Sequence, residues 1–260
     1  MSEKTLIIFK FDLDGTLIDG NHPEILLEEK NINSNQFWSK IAEERDSSAF
    51  ENKTALYLTR FVDEINYGRM QGLTIQKIKE LGSGINNMFF PGLPEFFNNI
   101  QEEFPKIEFR FHLISSGIKP MIEGSILKDY FHEICAYDLI PSRYQPDKII
   151  GPSTTVSSGE KENIMIKLSI GNSNKQKYEF PLKDTIIVGD GITDKAMFKV
   201  GKQYGASCFG IIRNEAARVS AETFLGKSIE SIHVADYRKG SDLWKAFCKA
   251  IQERIDQSFH

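Results

Sequence analysis

Cysteine is scarce in this sequence of 260 residues. The three cysteines, Cys135, Cys208 and Cys248, lie far apart and follow no recognisable spacing. An odd number placed in this way argues against a disulfide framework or a zinc ribbon, and it favours buried thiols that pack as small hydrophobic side chains. A chain of this length can bury a large core without disulfides. We therefore expect apolar packing to hold the fold together.

Long apolar runs and an excess of basic charge are missing as well. No apolar stretch approaches the about 18 residues that a membrane-spanning helix needs, and Leu6–Phe9 is too short for the core of a signal peptide. The 36 acidic residues outnumber the 32 basic ones, so the formal net charge is −4. A chain without a basic excess is not expected to bind nucleic acid. The sequence therefore predicts a soluble, cytoplasmic protein without a membrane or nucleic-acid partner, for which small anions remain possible ligands.

Strand and helix patterns alternate from residue 107 to the C-terminus. Predicted strands cover Leu6–Phe11, Glu108–Ile114, Ile134–Tyr137, Thr185–Val188, Ala206–Ile212 and Ser231–Val234. Predicted helices cover Pro94–Glu103, Pro120–Lys128, Glu160–Ile170, Lys195–Tyr204, Glu215–Leu225 and Asp242–Asp256. Such alternation is typical of a parallel sheet with helices on both faces. We predict an α/β fold built in this way.

Residues 20–88 interrupt the alternation, because they carry helical periodicity and no convincing strand. We predict a core domain made of residues 1–19 and 89–260, and a separate helical domain made of residues 20–88, which we call the helical insertion. Its aromatic side chains either pack between helices or line a pocket; they are Phe37, Trp38, Tyr57, Phe61 and Tyr67. A polar surface loop is predicted over Asn172–Lys177.

Two carboxylates follow the first predicted strand directly, in the segment Phe11-Asp12-Leu13-Asp14-Gly15-Thr16. Ligands bind at the carboxyl ends of the strands in a parallel sheet. Alternate residues of an extended segment point the same way, so Asp12 and Asp14 can reach one site. Gly15 permits the sharp turn that follows. Because neighbouring carboxylates repel each other, the pair requires a cation or a shared proton.

Three other segments carry weaker signals. Asp190 ends a β-branched strand between two glycines, which suits close approach of a metal or ligand, and Asp194 opens the next helix, where aspartate is also a common N-cap. Ser115-Ser116-Gly117 follows another strand, where a hydroxyl and backbone N–H groups can bind phosphate. Lys161 opens a helix and on its own is typical of a surface residue.

In their order, spacing and strand-end placement, these four segments resemble the motifs of the haloacid dehalogenase (HAD) superfamily of phosphohydrolases. The segment from Asp12 to Thr16 resembles the first motif, and Asp190 with Asp194 resembles the fourth. Ser115 and Lys161 take the second and third positions. The helical insertion lies where that superfamily carries a C1-type cap, and residues 190–198 are most similar to its phosphoserine-phosphatase-like branch. The resemblance implies a Rossmann-like three-layer core with a helical cap.

The resemblance also implies a phosphoric monoester hydrolase that acts on a small phosphorylated metabolite. Asp12 would attack phosphorus to form an aspartyl-phosphate, and Asp14 would act first as general acid and then as general base. Mg²⁺ would be held by Asp12, the main-chain carbonyl of Asp14, and Asp190.

The remaining motif residues would hold the phosphoryl group. Ser115 and Lys161 would bind its oxygens with help from the N–H groups of Ser116 and Gly117, and Asp194 would orient Lys161 or a metal-bound water. Two alternatives stay open: a phosphomutase that acts on a sugar phosphate, and a non-catalytic phospho-acceptor similar to receiver domains.

Three positions depart from the family pattern. Asn21 stands where serine-phosphate enzymes carry a carboxylate, which weakens phosphoserine as the substrate. Thr193 stands where the phosphoserine-phosphatase-like branch usually has asparagine. Lys10 interrupts an otherwise apolar strand, and we expect its side chain to extend to solvent at a margin of the sheet.

Overall fold

One sheet organises the protein. The computed structural model describes residues 5–47, 53–146, 148–154, 156–170 and 182–258, and within these ranges the sheet has seven strands. They are β1 (Thr5–Phe11), β2 (Ile107–Ile118), β3 (Glu133–Pro141), β4 (Ile149–Thr154), β5 (Thr185–Gly189), β6 (Ser207–Ile212) and β7 (Ser231–Val234). Their order is β4-β3-β2-β1-β5-β6-β7, and each pairing is parallel except that of β3 with β4. The loop predicted over Asn172–Lys177 lies outside the described residues.

The predicted α/β fold is confirmed, with two local differences. β4 has no counterpart among the predicted strands, because its sequence contains Gly151 and Pro152, which are uncommon in strands. β2 stays extended as far as Ile118, and its register against β3 shifts between Ile114 and Ile118. The segment from Ser115 to Gly117 therefore belongs to an irregular stretch of strand rather than following its end.

Ten α-helices accompany the strands in the described ranges. The helical insertion contains α1 (Glu24–Glu29), α2 (Ser34–Ser47), α3 (Lys53–Tyr67) and α4 (Ile75–Leu81). The remainder of the chain forms α5 (Phe96–Glu103), α6 (Lys119–Gly124), α7 (Ser158–Ile170), α8 (Lys195–Gln203), α9 (Arg218–Leu225) and α10 (Asp242–Ser258). No described helix combines the length and the apolar character that crossing a membrane requires.

Helices cover both faces of the sheet. On one face, Phe9 of β1 makes edge-to-face contacts with Phe96 of α5 and Phe247 of α10. On the other face, Ile187 of β5 belongs to a buried cluster that includes Met165 of α7. Apolar side chains thus point both ways from the central strands, which produces three layers.

The helical insertion is joined to the core by packing as well as by chain connections. Its helix α4 packs against α6, and its buried apolar residues belong to the same hydrophobic cluster as the face of the sheet that carries Phe9. Phe37 and Phe61 are buried with ring centroids 5.1 Å apart, so they pack between α2 and α3. Tyr67 is exposed. Trp38 and Tyr57 lie at the candidate site described next.

Candidate active site

The central strand carries Asp12 to the carboxyl edge of the sheet. β1 lies between β2 and β5, and the Asp12 N–H continues the ladder by donating to the carbonyl oxygen of Val188 at 3.0 Å. Gly15 then turns the chain with a φ of 73°, and a Cβ at this position would overlap the carboxylate of Asp190. The turn therefore brings the first and fourth motifs into contact.

Lys161 lies between two buried carboxylates. Its Nζ is 2.8 Å from Oδ1 of Asp12 and 2.7 Å from Oδ1 of Asp194, and all three side chains are almost fully buried. Burial alone would lower the pKa of Lys161, but the charges of Asp12 and Asp194 raise it above its ordinary value. Asp194 does not cap α8 with its side chain; its other oxygen accepts from the Gly191 N–H. Lys161 is therefore an ammonium held against Asp12.

Three carboxylates form a group that fits a cation. Oxygens of Asp12, Asp190 and Asp194 all lie within 4.8 Å of one another. Burial raises the pKa of Asp12 and of Asp190, and repulsion from the neighbouring carboxylates raises both further. Lys161 supplies one positive charge against three carboxylates, so an uncompensated negative charge is left. Both oxygens of Asp194 are engaged, one with Lys161 and the other with the Gly191 N–H, whereas Asp12 contacts Lys161 through Oδ1. Asp12 and Asp190 are therefore the residues with oxygens to offer a hard cation such as Mg²⁺.

Asp14 is held by a residue that the sequence did not suggest. His22 is fully buried, and its Nδ1 lies 2.8 Å from Oδ1 of Asp14, which also accepts from the His22 backbone N–H at 2.9 Å. The other ring nitrogen accepts from the Ile118 N–H at 2.8 Å. His22 stands between an asparagine and a proline in a segment without periodicity, so no sequence signal indicated this contact.

The segment predicted to bind phosphate lies beside this histidine. Ser115 is buried, and its hydroxyl accepts from the Gly117 N–H at 3.0 Å, so that N–H group is engaged within the segment. The Ser116 carbonyl accepts from the Tyr57 hydroxyl, which connects the helical insertion to β2. Ser116 lines the cavity at the site. The phosphate-binding roles of Ser115, Ser116 and Gly117 stay predictions.

A cavity of about 440 Å³ opens onto these side chains. Its lining includes residues of all the proposed motifs and of the helical insertion; they are Asp12, Asp14, Asn21, Pro23, Trp38, Tyr57, Ser116, Lys161, Asp190, Gly191 and Thr193. Two of the three positions that depart from the family pattern, Asn21 and Thr193, thus face the cavity. A volume in the range of about 300–1,000 Å³ suits a small-molecule ligand.

The expectation that Lys10 extends to solvent at a sheet margin is wrong. β1 is the middle strand, and Lys10 is fully buried. Its Nζ donates to the Met165 carbonyl at 3.0 Å and to the Ser169 hydroxyl at 2.9 Å, both on α7. Burial lowers the pKa of Lys10 to about 7. Because Lys161 begins the same helix, this contact fixes α7 beside the strand that carries Asp12.

Solved structures that share this fold include proteins named as a phosphoserine phosphatase, a HAD family hydrolase and a 5'-nucleotidase. A substrate-bound phosphoserine phosphatase matches with a TM-score of 0.61 at 18% identity, over 95% of this chain and 99% of that one. A HAD family hydrolase from Salmonella enterica matches with a TM-score of 0.56 at 16% identity, over 82% of this chain and 64% of that one. Cytosolic 5'-nucleotidase IIIB bound to cytidine matches with a TM-score of 0.60 at 13% identity, over 98% of this chain and 88% of that one.

Comparison with curated proteins finds an uncharacterized protein of Borreliella burgdorferi, which is 23% identical over 96% of this chain and 99% of its own length. No protein-family model matches the chain. The likeness to the solved structures establishes the fold. The HAD-like, phosphoserine-phosphatase-like α/β fold that the motifs predicted is confirmed.

Proposed function

We propose that this protein is a Mg²⁺-dependent phosphatase that hydrolyses a small phosphomonoester through an aspartyl-phosphate on Asp12. The observation that carries the proposal is the position of Asp12, buried at a cavity in a HAD-like fold, with Lys161 at 2.8 Å and Asp190 beside it. A carboxylate placed in this way can act as a nucleophile when it is ionised, and Lys161 favours its ionised form.

Asp12 and Asp14 divide the covalent chemistry between them. A carboxylate oxygen of Asp12 forms a bond to phosphorus while the bond from phosphorus to the leaving alcohol breaks, and Asp14 gives that alcohol its proton. In the second step Asp14 takes a proton from water, whose oxygen displaces Asp12 from phosphorus. Inorganic phosphate leaves, and both carboxylates return to their starting states.

The other residues supply charge and position. Lys161 lies where it can also contact a phosphoryl oxygen, and Asp194 keeps its ammonium in place. Asp12, Asp190 and the main-chain carbonyl of Asp14 would hold the cation. When bound, Mg²⁺ would offset the repulsion between these carboxylates and an anionic phosphate.

Asp12 is 6% exposed at a cavity lined partly by the helical insertion. We therefore propose that residues 20–88 act as a cap, which admits small esters and blocks folded phosphoproteins.

The test is release of inorganic phosphate from a panel of small phosphomonoesters, with and without a chelator. We expect release that requires Mg²⁺ and that disappears in Asp12→Asn, while circular dichroism shows the variant to be folded. Full activity in excess chelator or in Asp12→Asn would contradict the mechanism. A stable phosphoprotein without turnover would instead favour the phospho-acceptor, and an isomerised sugar phosphate would favour the phosphomutase.

A further inference from the structure

The part of the cavity wall that comes from the helical insertion carries no charge among the described residues. Its contributions are Asn21, Pro23, Trp38 and Tyr57. The rings of Trp38 and Tyr57 lie 5.6 Å apart between centroids, at an angle of 64°. Tyr57 is fixed by its hydrogen bond to the Ser116 carbonyl. These two rings, packed edge to face, give the wall of the cavity an aromatic and uncharged surface, to which the Trp38 indole N–H adds a buried donor without a partner among the described residues.

The charged residues of the lining already have partners or a proposed role, since Asp190 is one of the residues that would hold the cation. Lys161 is bound to Asp12 and Asp194, and Asp14 is bound to His22. An amino-acid phosphate would bring an ammonium and a carboxylate into this cavity without partners, and burying unpaired charges is unfavourable. An uncharged ring avoids this cost, and ring faces stack favourably on aromatic side chains.

Resting on the proposed function, we propose that the substrate is a phosphomonoester whose leaving group carries a planar, uncharged ring, and that Trp38 and Tyr57 contact this ring. Aryl phosphates and nucleoside monophosphates share this chemistry. The test compares kcat/KM for p-nitrophenyl phosphate, nucleoside 5'-monophosphates, glycerol phosphate and phosphoserine. We expect higher kcat/KM values for the two esters that carry a planar ring. Whether p-nitrophenyl phosphate or the nucleoside 5'-monophosphates have the higher value distinguishes aryl phosphates from nucleoside monophosphates as the substrate.

Variants make this test specific. Trp38→Leu should raise KM for the planar esters roughly tenfold, as loss of ring stacking predicts, and leave KM for glycerol phosphate within about twofold. Tyr67→Leu is the matched control, because this aromatic residue of the same insertion is exposed. Phosphoserine as the best substrate, or an equal effect of Trp38→Leu on all esters, would overturn the substrate class while the proposed function stands. No phosphate release from any ester would overturn the proposed function itself.

A second inference comes independently from the hydrogen bonds of His22. A backbone N–H can only donate, so the Nε2 that faces Ile118 carries a lone pair, and the ring proton lies on Nδ1 and is donated to Asp14. Gly117 gives the ring its space, because a Cβ at that position would overlap it. One ring thus connects the start of the helical insertion, the proposed acid–base residue and the segment predicted to bind phosphate.

We infer that His22 is a positioning residue that orients the Asp14 carboxyl for proton transfer to the leaving group. Two donors of the same residue, the ring Nδ1–H and the backbone N–H, fix Oδ1 of Asp14. Asp14 keeps 25% of its side chain exposed and lines the cavity, so the fixed group still reaches the reacting oxygen. Loss of the ring would let the carboxyl rotate, and acid catalysis depends closely on geometry.

The test uses two aryl esters that differ only in a para nitro group. Phenolate is a poorer leaving group than p-nitrophenolate, so phenyl phosphate depends more on proton donation. His22→Gln places its amide near Nε2 and removes the donor to Asp14. It should lower kcat/KM for phenyl phosphate at least tenfold and for p-nitrophenyl phosphate less than about threefold. His22→Asn, whose amide lies near Nδ1 and can donate to Asp14, should recover most of the loss.

Gly117→Ala provides a second route to the same result, because it displaces the ring without changing His22. It should show the same preference for the better leaving group. Equal losses on both esters in His22→Gln and in Gly117→Ala would mean that the ring only supports the fold, and would overturn the inference. Unchanged kinetics in His22→Gln would overturn it as well. Thermal unfolding of each variant confirms that folded protein is being compared.

Discussion

At the scale of single residues, burial decides how the carboxylates of the site behave. Asp12 is 6% exposed, and carboxylate oxygens of Asp190 and Asp194 lie within 4.8 Å. Because little water reaches the group, burial raises the pKa of Asp12, and repulsion from Asp194 raises it further. Lys161 is the single ammonium paired with it among the described residues. Further positive charge is therefore needed before Asp12 is fully available as a nucleophile.

A buried histidine away from the carboxylates should make the stability of the protein depend on pH. His112 of β2 is 2% exposed, and burial, together with the charge of Lys10, lowers its pKa to about 3. The unfolded chain takes up a proton at this histidine below about pH 6.5, whereas the folded chain does not. His112 therefore lowers the free energy of unfolding as the pH falls. We expect a loss of about 2 kcal/mol from this group between pH 7 and pH 5.

The measurement is urea unfolding at several pH values. His112→Leu should remove this loss, so that its change in the free energy of unfolding from pH 7 to pH 5 is more favourable than that of the natural protein by about 2 kcal/mol. Asp12 and Asp190 titrate in the same range and contribute equally to both proteins. His132→Gln, at a more exposed histidine whose pKa burial also lowers, should change the slope less. If the two variants had the same effect, the pH dependence would not come from the buried ring.

At the scale of elements, the site depends on how a strand and a helix are held together. Lys10 lies on β1, two residues before Asp12, and α7 carries Lys161 in its first turn. The hydrogen bonds from Lys10 to Met165 and Ser169 join β1 to α7 at positions C-terminal to Lys161 on that helix. These contacts support the approach of Lys161 to Asp12, which lie 2.8 Å apart. A lysine that looked misplaced in an apolar strand has a structural role.

The crossing of α4 and α6 attaches the helical insertion to the core through backbone contact. A Cβ at Gly124 of α6 would overlap the Lys79 carbonyl, and a Cβ at Gly82 would overlap the Met121 carbonyl. We expect Gly124→Ala to lower the free energy of unfolding by about 1–3 kcal/mol, because the helices must separate. Gly159→Ala is the control, since nothing lies within 4 Å of its Cβ position and alanine favours helices. Equal stability of the two variants in urea unfolding would show that the crossing is not tight.

At the scale of the whole molecule, the candidate site lies between the carboxyl edge of the sheet and the helical insertion. Its carboxylates leave an excess of negative charge there. Mg²⁺ should raise the melting temperature by several degrees, because a cation that binds only the folded state stabilises it. Asp190→Asn should abolish this rise and, without Mg²⁺, melt no lower than the natural protein, since it removes a repelled carboxylate. Asp129→Asn, at an exposed carboxylate, should keep the rise. A Mg²⁺ effect that survives in Asp190→Asn would place the cation elsewhere.

Local features of the sequence determined the fold class and the first site residues. The strands follow from runs of β-branched and aromatic residues, and Asp12 and Asp190 follow from their places directly after two such runs. Parallel strands align their carboxyl ends, so these residues could be assigned to one edge without knowledge of the packing. β4 was missed because its glycine and proline give no strand signal.

Only the tertiary structure decided the partners of Lys10, His22 and Trp38. Lys10 meets Met165 across 155 residues of chain, and His22 meets Ile118 across 96. Contacts of this kind depend on how elements pack, and a sequence pattern describes neighbours along one element. Trp38 and Phe37 are adjacent in sequence, yet one lines the cavity and the other is buried between helices. The rotation of α2 against its neighbours makes that difference, because adjacent helical side chains point about 100° apart.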